Sequence, residues 1–223
     1  KAHAKLLQND AFKIKSGAAA AYRALNELSQ ETGVAEADCA RLTELCNLFE
    51  FPEAADTIKG ITSTMRGDLV KVKCLWDLAF MVDSQIEQWK ELLWDDIKPS
   101  ALEEESKAFQ KIVKGMDKTV RGWDVYLGID GIVKNFLVSV PAVSELKSPS
   151  MRQRHWDRLM GITGSTLPVT DGVFAPTFCL SDLLALELHK FVDDVGEVVD
   201  QANKEDKMEQ TLQKLDETWK VVE

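Results

Sequence analysis

Proline and glycine are scarce in this 223-residue sequence, at 6 and 12 residues. So few chain breakers favour long helices over many short strands. Cysteine is confined to positions 39, 46, 74 and 179. That spacing matches no zinc motif, and a chain of this size needs no disulfide staples, so Cys39, Cys46, Cys74 and Cys179 read as reduced core or surface thiols of an intracellular protein. His3, His155 and His189 each stand alone, without the paired spacing a metal centre requires. No apolar run approaches the roughly 20 residues of a membrane span, and no signal peptide is visible. Basic charge is also short. Lys+Arg total 27 against 37 Asp+Glu, and the formal net charge of −10 argues against nucleic acid and against an anionic membrane surface. Neither a Walker-type phosphate loop nor a Gly-x-Ser-x-Gly elbow occurs. The stretch Gly161-Ile162-Thr163-Gly164-Ser165-Thr166 lacks the lysine of a phosphate cradle and reads as a loop.

What is present is helical periodicity. The length suits one large or two small domains, and the start at Lys1 rather than a methionine suggests a piece of a longer protein. Lys1 to about Glu50 reads as helical: Tyr22, Leu25 and Leu28 share a spacing, Gly33 breaks the helix, and a second one carries Leu42, Leu45, Cys46 and Phe49. Pro52 opens a shorter helix with Ala55, Ile58, Ile61 and Met65. Val72, Leu75, Ala79, Val82, Ile86, Trp89 and Leu93 then form a coiled-coil-like seam, widened by Leu69, Trp76 and Phe80. One helix from Asp68 to Trp94 would be about 40 Å long at roughly 1.5 Å per residue. Ser100 and Glu103 read as a capping box, starting a helix that bears Leu102, Phe109 and Ile112. Residues 116–125 suit a turn or short helix, and 129–140 a helix with Ile132, Val133, Phe136 and Val140 inward, closed or kinked by Pro141. Residues 161–175 form a loop in which Asp171-Gly172 can turn a short hairpin. Ser181 can cap a helix through Leu184, and a long helical tract runs from about Leu186 to Val222. The seam of that tract, Val192, Val195, Val199 and Ala202, then Met208, Leu212, Leu215, Trp219 and Val222, slips phase at Glu205-Asp206, which predicts a bend or a change of partner.

Residues 148–160 are the densest in information. Ser148 and Pro149 suit a helix start, and Met151, His155, Trp156, Leu159 and Met160 fall on one face while Arg152, Arg154 and Arg158 lie off it. The arrangement predicts a buried histidine, satisfied by backbone or a carboxylate, beside a buried tryptophan. If Trp156 is buried, Trp156→Ala should cost about 3–5 kcal/mol; an unchanged melting temperature would refute that placement. The three arginines suit local ion pairs with Asp157 nearby, His189 has Asp193 one turn on as a partner, and the acidic runs Glu103-Glu104-Glu105 and Asp95-Asp96 read as solvated helix starts. The six tryptophans lie mostly on seams and read as core.

Four blocks, in order, resemble the linker region of dynein heavy chains. They are Leu75-Trp76-Asp77-Leu78 with Trp89 and Trp94; Trp123-Asp124-Val125-Tyr126 with Gly128 and Val140-Pro141; Leu146 to Met151 with Arg154-His155-Trp156 and Leu159; and Leu180-Ser181-Asp182-Leu183-Leu184 with Leu188-His189-Lys190, Val195, Ala202, Leu212 and Trp219. The resemblance covers roughly Leu45 to Trp219. The signature positions are Trp76, Trp123, Arg154, His155, Trp156, Leu184, His189 and Trp219. The resemblance implies an all-α fold, an elongated array of helix bundles with long seam-packed helices. Residues 1–50 would adjoin the tail or neck, and 51–223 would be the N-terminal part of the linker. It implies a lever that bends and straightens with ATP binding and hydrolysis in a ring of AAA+ modules. It assigns no catalytic, cofactor or metal residue to this segment, and places ATP and magnesium in the ring. The implied partners are that ring, intermediate and light chains, other heavy chains and microtubules, with no nucleic acid and no membrane. The block containing Leu188-His189-Lys190-Phe191 resembles axonemal chains, of cilia and flagella, with a lean toward the outer arm.

Two other readings compete. A spectrin-like or tethering bundle explains the heptads but would show self-similarity at a fixed period, and none is found. An all-helical enzyme needs convergent polar residues in a pocket, and lone histidines and solvated carboxylates do not supply them.

Overall fold

A computed structural model describes residues 6–51, 53–186 and 188–222. His3 and Pro52, and the side chains of His189 and Val222, lie outside the described residues, and with them the helix start at Pro52, the His189–Asp193 pairing and the last seam position. The described chain is mostly helical, with one short antiparallel hairpin. The helices are α1 (Ala18–Leu48), α2 (Glu53–Lys90), α3 (Pro99–Gly115), α4 (Asp124–Leu146), α5 (Gln153–Thr163), α6 (Leu180–Leu184) and α7 (Val192–Val222). The hairpin strands are β1 (Val169–Thr170) and β2 (Val173–Phe174). Two compact units divide the chain, Lys1–Ser84 with Ile112–Gly131, and Gln85–Lys111 with Ile132–Glu223.

In the first unit α1 is continuous, and Gly33 does not break it. A helical glycine costs only about 1 kcal/mol against alanine, which packing against α2 outweighs. The two helices run antiparallel. The Arg66 guanidinium donates to both oxygens of Glu36 at 2.8 and 2.7 Å and to Ser29 Oγ at 2.9 Å, while Tyr22 Oη donates to Asp77 Oδ1 at 2.6 Å. Burial of Tyr22, with the Asp77 carboxylate beside it, pushes its phenol up to about 12. The buried stripe is a heptad of mostly small residues, Leu25, Thr32 and Cys39 on α1, and Ala55, Thr62 and Leu69 on α2. Leu42, Leu45, Phe49, Ile58 and Ile61, expected on inward faces, are instead 41–68% exposed. Likewise α2 is one helix, not a short one followed by another from Asp68, because its stripe runs unbroken past Gly60 and Gly67. It ends at Lys90, so Leu93 leaves the seam, and Phe80 also faces solvent.

Before α1, 3₁₀ turns at Asp10–Phe12 and Ile14–Ser16 replace the expected helix. They place Ala11 so that its carbonyl accepts from Trp76 Nε1 at 2.7 Å, and Phe12 edge-on to Trp123 at 5.0 Å. Ile14 N–H donates to Asp124 Oδ2 at 2.8 Å, at the first turn of α4.

In the second unit α3 starts at Pro99, not after a Ser100 cap. Proline suits the first helical position, and the Lys98 carbonyl accepts from Ala101 and Leu102. Val113, not Ile112, is buried near the end of α3. Pro141 neither closes nor visibly divides α4, which continues to Leu146. That helix is long and apolar enough to cross a membrane by length and composition alone, contrary to the sequence reading. Burial of Val125, Ile129, Val133, Phe136, Val140 and Val143 accounts for its composition as a core helix. Ser148 and Pro149 lie in a turn, so α5 starts at Gln153. Cys179, not Ser181, is the N-cap of α6, and a 3₁₀ turn at Leu188–Lys190 delays α7 to Val192. Asp171 and Gly172 adopt positive φ of 53° and 77°, the turn expected for a two-residue hairpin.

Gly128 carries a close approach. A Cβ there would stand 2.6 Å from Ile14 Cγ1 and 3.0 Å from Ile14 Cβ, atoms too near a branched backbone position to move freely. Gly128→Ala is therefore expected to destabilise by about 1–3 kcal/mol despite its helix-propensity gain, and Ile14→Ala should recover most of the loss. Urea unfolding of both variants checks this; a more stable Gly128→Ala would contradict the packing.

Candidate functional site

The site with the most converging chemistry lies in the second unit, where α5 meets α7 and the hairpin. Gly164 closes α5 with a left-handed φ of 66°. Gln153 ties the hairpin down: its Oε1 accepts from Gly172 N–H at 3.0 Å, and its Nε2 donates to Asp157 Oδ1 at 2.9 Å.

Trp156 is 2% exposed. It meets Phe174 edge-on at 4.7 Å and Trp94 at 6.1 Å, while Phe174 and Phe178 stack at 4.1 Å. The backbone fixes this cluster. Trp94 N–H donates to the Phe178 carbonyl and Leu180 N–H to the Leu92 carbonyl, both at 2.9 Å, so residues 92–94 and 178–180 form a short antiparallel ladder.

His155 is buried beside it and fully partnered. Its Nδ1 accepts from Arg152 N–H at 3.0 Å, so in the neutral ring the proton sits on Nε2, which faces Glu205 Oε2 at 2.9 Å. One ring thus caps the first turn of α5 and reaches across to α7.

The arginines surround this bond. Arg154 Nε donates to Glu205 Oε2 at 2.6 Å and Nη2 to Glu209 Oε1 at 3.1 Å. Arg152 reaches Asp206 at 3.2 Å, and Arg158 reaches Gln201 and Glu197. Their ion pairs are with a helix distant in sequence, not the local ones expected with Asp157, which instead takes Gln153. Hydrogen bonds from Gln201, Arg154 and His155 hold the Glu205 carboxyl down at about 2. Arg154 lowers Glu209 in the same way.

Sequence reasoning misses these carboxylate partners, although a signal exists. Glu197, Gln201, Glu205 and Glu209 recur every fourth residue and so line one face of α7. The apolar slip at Glu205-Asp206 draws attention away from them. The helix α7 continues unbroken through that point. What changes is burial: Val195, Val198, Val199 and Ala202 are buried, whereas Met208, Leu212, Leu215 and Trp219 are 51–70% exposed.

The signature residues are thus dispersed. Arg154, His155 and Trp156 converge here. Trp76 is buried in the first unit, and Trp123 is half-buried against Phe12. Leu184 is half-buried at the end of α6, and Trp219 is exposed rather than core. Among the described residues no group of three or more His, Cys, Asp or Glu is arranged to hold a metal ion.

Residues 62–223 match the family model described as dynein heavy chain, N-terminal region 2. The chain is 47% identical over 212 residues to the dynein alpha chain, flagellar outer arm, of Chlamydomonas reinhardtii, covering 95% of this chain and 5% of that protein. It is 38% identical over 200 residues to the dynein beta chain, ciliary, of Tripneustes gratilla, covering 89% and 4%. It is 35% identical over 202 residues to human dynein axonemal heavy chain 17, covering 91% and 4%. The chain therefore spans about a twentieth of the length of these relatives.

Because Glu205 is lowered on folding from an ordinary 4.5 to about 2, its contribution to stability is present above pH 4.5 and is lost as pH falls toward 2. Glu205→Gln should flatten the stability curve across that window, measured by acid titration of circular dichroism at fixed urea. A variant curve that still falls as steeply as the wild type would contradict the bonding described.

Proposed function

This chain belongs to the dynein heavy chain family, and on that footing we propose that it is a non-catalytic mechanical segment, the N-terminal part of the linker with residues 1–50 adjoining the tail or neck. It passes the ATP-driven change of an AAA+ ring to the tail, for microtubule-based movement in the axoneme of a cilium or flagellum. ATP and magnesium are held by the ring, and this segment contributes no catalytic residue. Its partners are that ring, microtubules through the parent chain, and intermediate, light and other heavy chains through the tail. The names of the flagellar and ciliary relatives favour the axonemal assignment, and the first of them favours the outer arm.

The observation that carries the reading is the α5–α7 junction. Its apolar component is a tryptophan inside an aromatic cluster, and its polar component is a histidine and two arginines bonded to one helical face. Charge-assisted bonds give such a contact a defined geometry, and close packing makes it resist gradual deformation. A segment that transmits displacement needs both. A tethering bundle with no motor role has no comparable observation in its favour.

In the full heavy chain, Arg154→Gln combined with Glu209→Gln should loosen this junction without touching the ring. Microtubule gliding is expected to slow much more than ATP turnover. Equal slowing of both, or no change in gliding, would contradict the proposal.

A further inference from the structure

A cavity of about 520 Å³ opens between residues 93–96 and 172–178. One wall is aromatic. Trp94 and Phe174, both half-buried, stand 5.1 Å apart, and the buried Phe178 stacks on Phe174 with its ring parallel to within 9° at 4.1 Å, 5.9 Å from Trp94. The lining also includes Asp95 and Asp96, both exposed, whose carboxylates make no side-chain hydrogen bond or ion pair among the described residues. Lys147 is near enough for its charge to act with both. Its ammonium, however, donates to the carbonyl oxygens of Asp95 and Ile97, at 3.3 and 2.6 Å, and sits 5.4 Å from the Trp94 ring centroid. Two carboxylates against one ammonium leave the cavity acidic.

We propose that this cavity receives an arginine side chain from a basic polypeptide segment. A planar guanidinium stacks on aromatic faces while its fork donates to carboxylates, and it is less strongly hydrated than an ammonium. Lys147 over Trp94 is an internal instance of the same cation–ring attraction. The volume falls in the range of about 300–1,000 Å³ usual for ligand sites, enough for an arginine and part of its neighbours. Val173, 71% exposed at the lining, offers apolar surface for those flanking residues. The net charge of −10 further favours a basic partner. A nucleic-acid base could stack on the same rings, but its phosphates would meet Asp95 and Asp96. This binding chemistry is independent of the lever role.

The test is a titration of the purified chain with the peptide acetyl-Gly-Arg-Leu-Arg-Gly-amide, followed by NMR at the Trp94 indole N–H and the Gly172 amide. The citrulline counterpart keeps the shape and removes the charge. Saturable shifts are expected with the arginine peptide, with binding about tenfold or more weaker for citrulline and a similar loss in the Asp95→Asn, Asp96→Asn double variant. Both positions are exposed, so an unchanged circular dichroism spectrum will show that the variant is folded. Absence of saturable shifts up to ~1 mM peptide, equal binding of the two peptides, or binding undiminished in the double variant would overturn the proposal. So would sedimentation showing a dimer that the double variant abolishes, because the occupant would then be a second copy.

Discussion

The second unit depends on the burial of one side chain. Trp156 is excluded from water with Trp94 and Phe174 packed against it, and Phe178 in turn packs on both of those rings; the three come from the segment after α2, the hairpin and the turn before α6. None of those elements has a core of its own. A two-stranded hairpin is at best marginally stable alone, and α6 has five residues. The aromatic cluster around the indole supplies the apolar surface that joins all three, and the backbone ladder sets the register of 92–94 against 178–180. His155, its neighbour in sequence, turns the same helix face toward α7. A buried aromatic anchor and a directional polar bond thus come from adjacent residues, which couples the packing of the cluster to the position of a long helix.

The polar component of that junction works because α7 presents its acceptors at helical spacing. One carboxylate, Glu205, accepts from Gln201, Arg154 and His155 together. Such shared bonds are worth more than isolated surface pairs, which typically contribute little. The junction also divides α7. Its first half is buried by the unit, and its second half carries an apolar seam that no described residue covers.

Much of this is legible in the sequence, and the failures have physical causes. The long helices, the Asp171-Gly172 turn and the inward face of Trp156 and His155 emerge from periodicity and from residues with restricted roles. Helix starts are misplaced where a good capping residue lies one to five positions from the true one, as at Ser100, Ser148 and Ser181, because local capping preference is weaker than the packing of the helix itself. The α1–α2 contact is hard to read because Thr32, Cys39, Ala55 and Thr62 give little hydrophobic signal, while the larger Leu42, Phe49 and Ile58 attract attention and face solvent. The ion pairs of Arg152, Arg154 and Arg158 cannot be assigned from sequence, since their partners lie on a separate helix. The four-residue recurrence from Glu197 to Glu209 is nevertheless visible there.

The α5 junction holds the first half of α7 and leaves the second half free, and native-state hydrogen exchange along α7 tests this most directly. Amides from Val198 to about Glu209 are expected to exchange slowly and together with those of α5, while those from about Gln213 to Lys220 exchange much faster. Uniform protection along the whole helix, or fast exchange in its first half, would contradict the account.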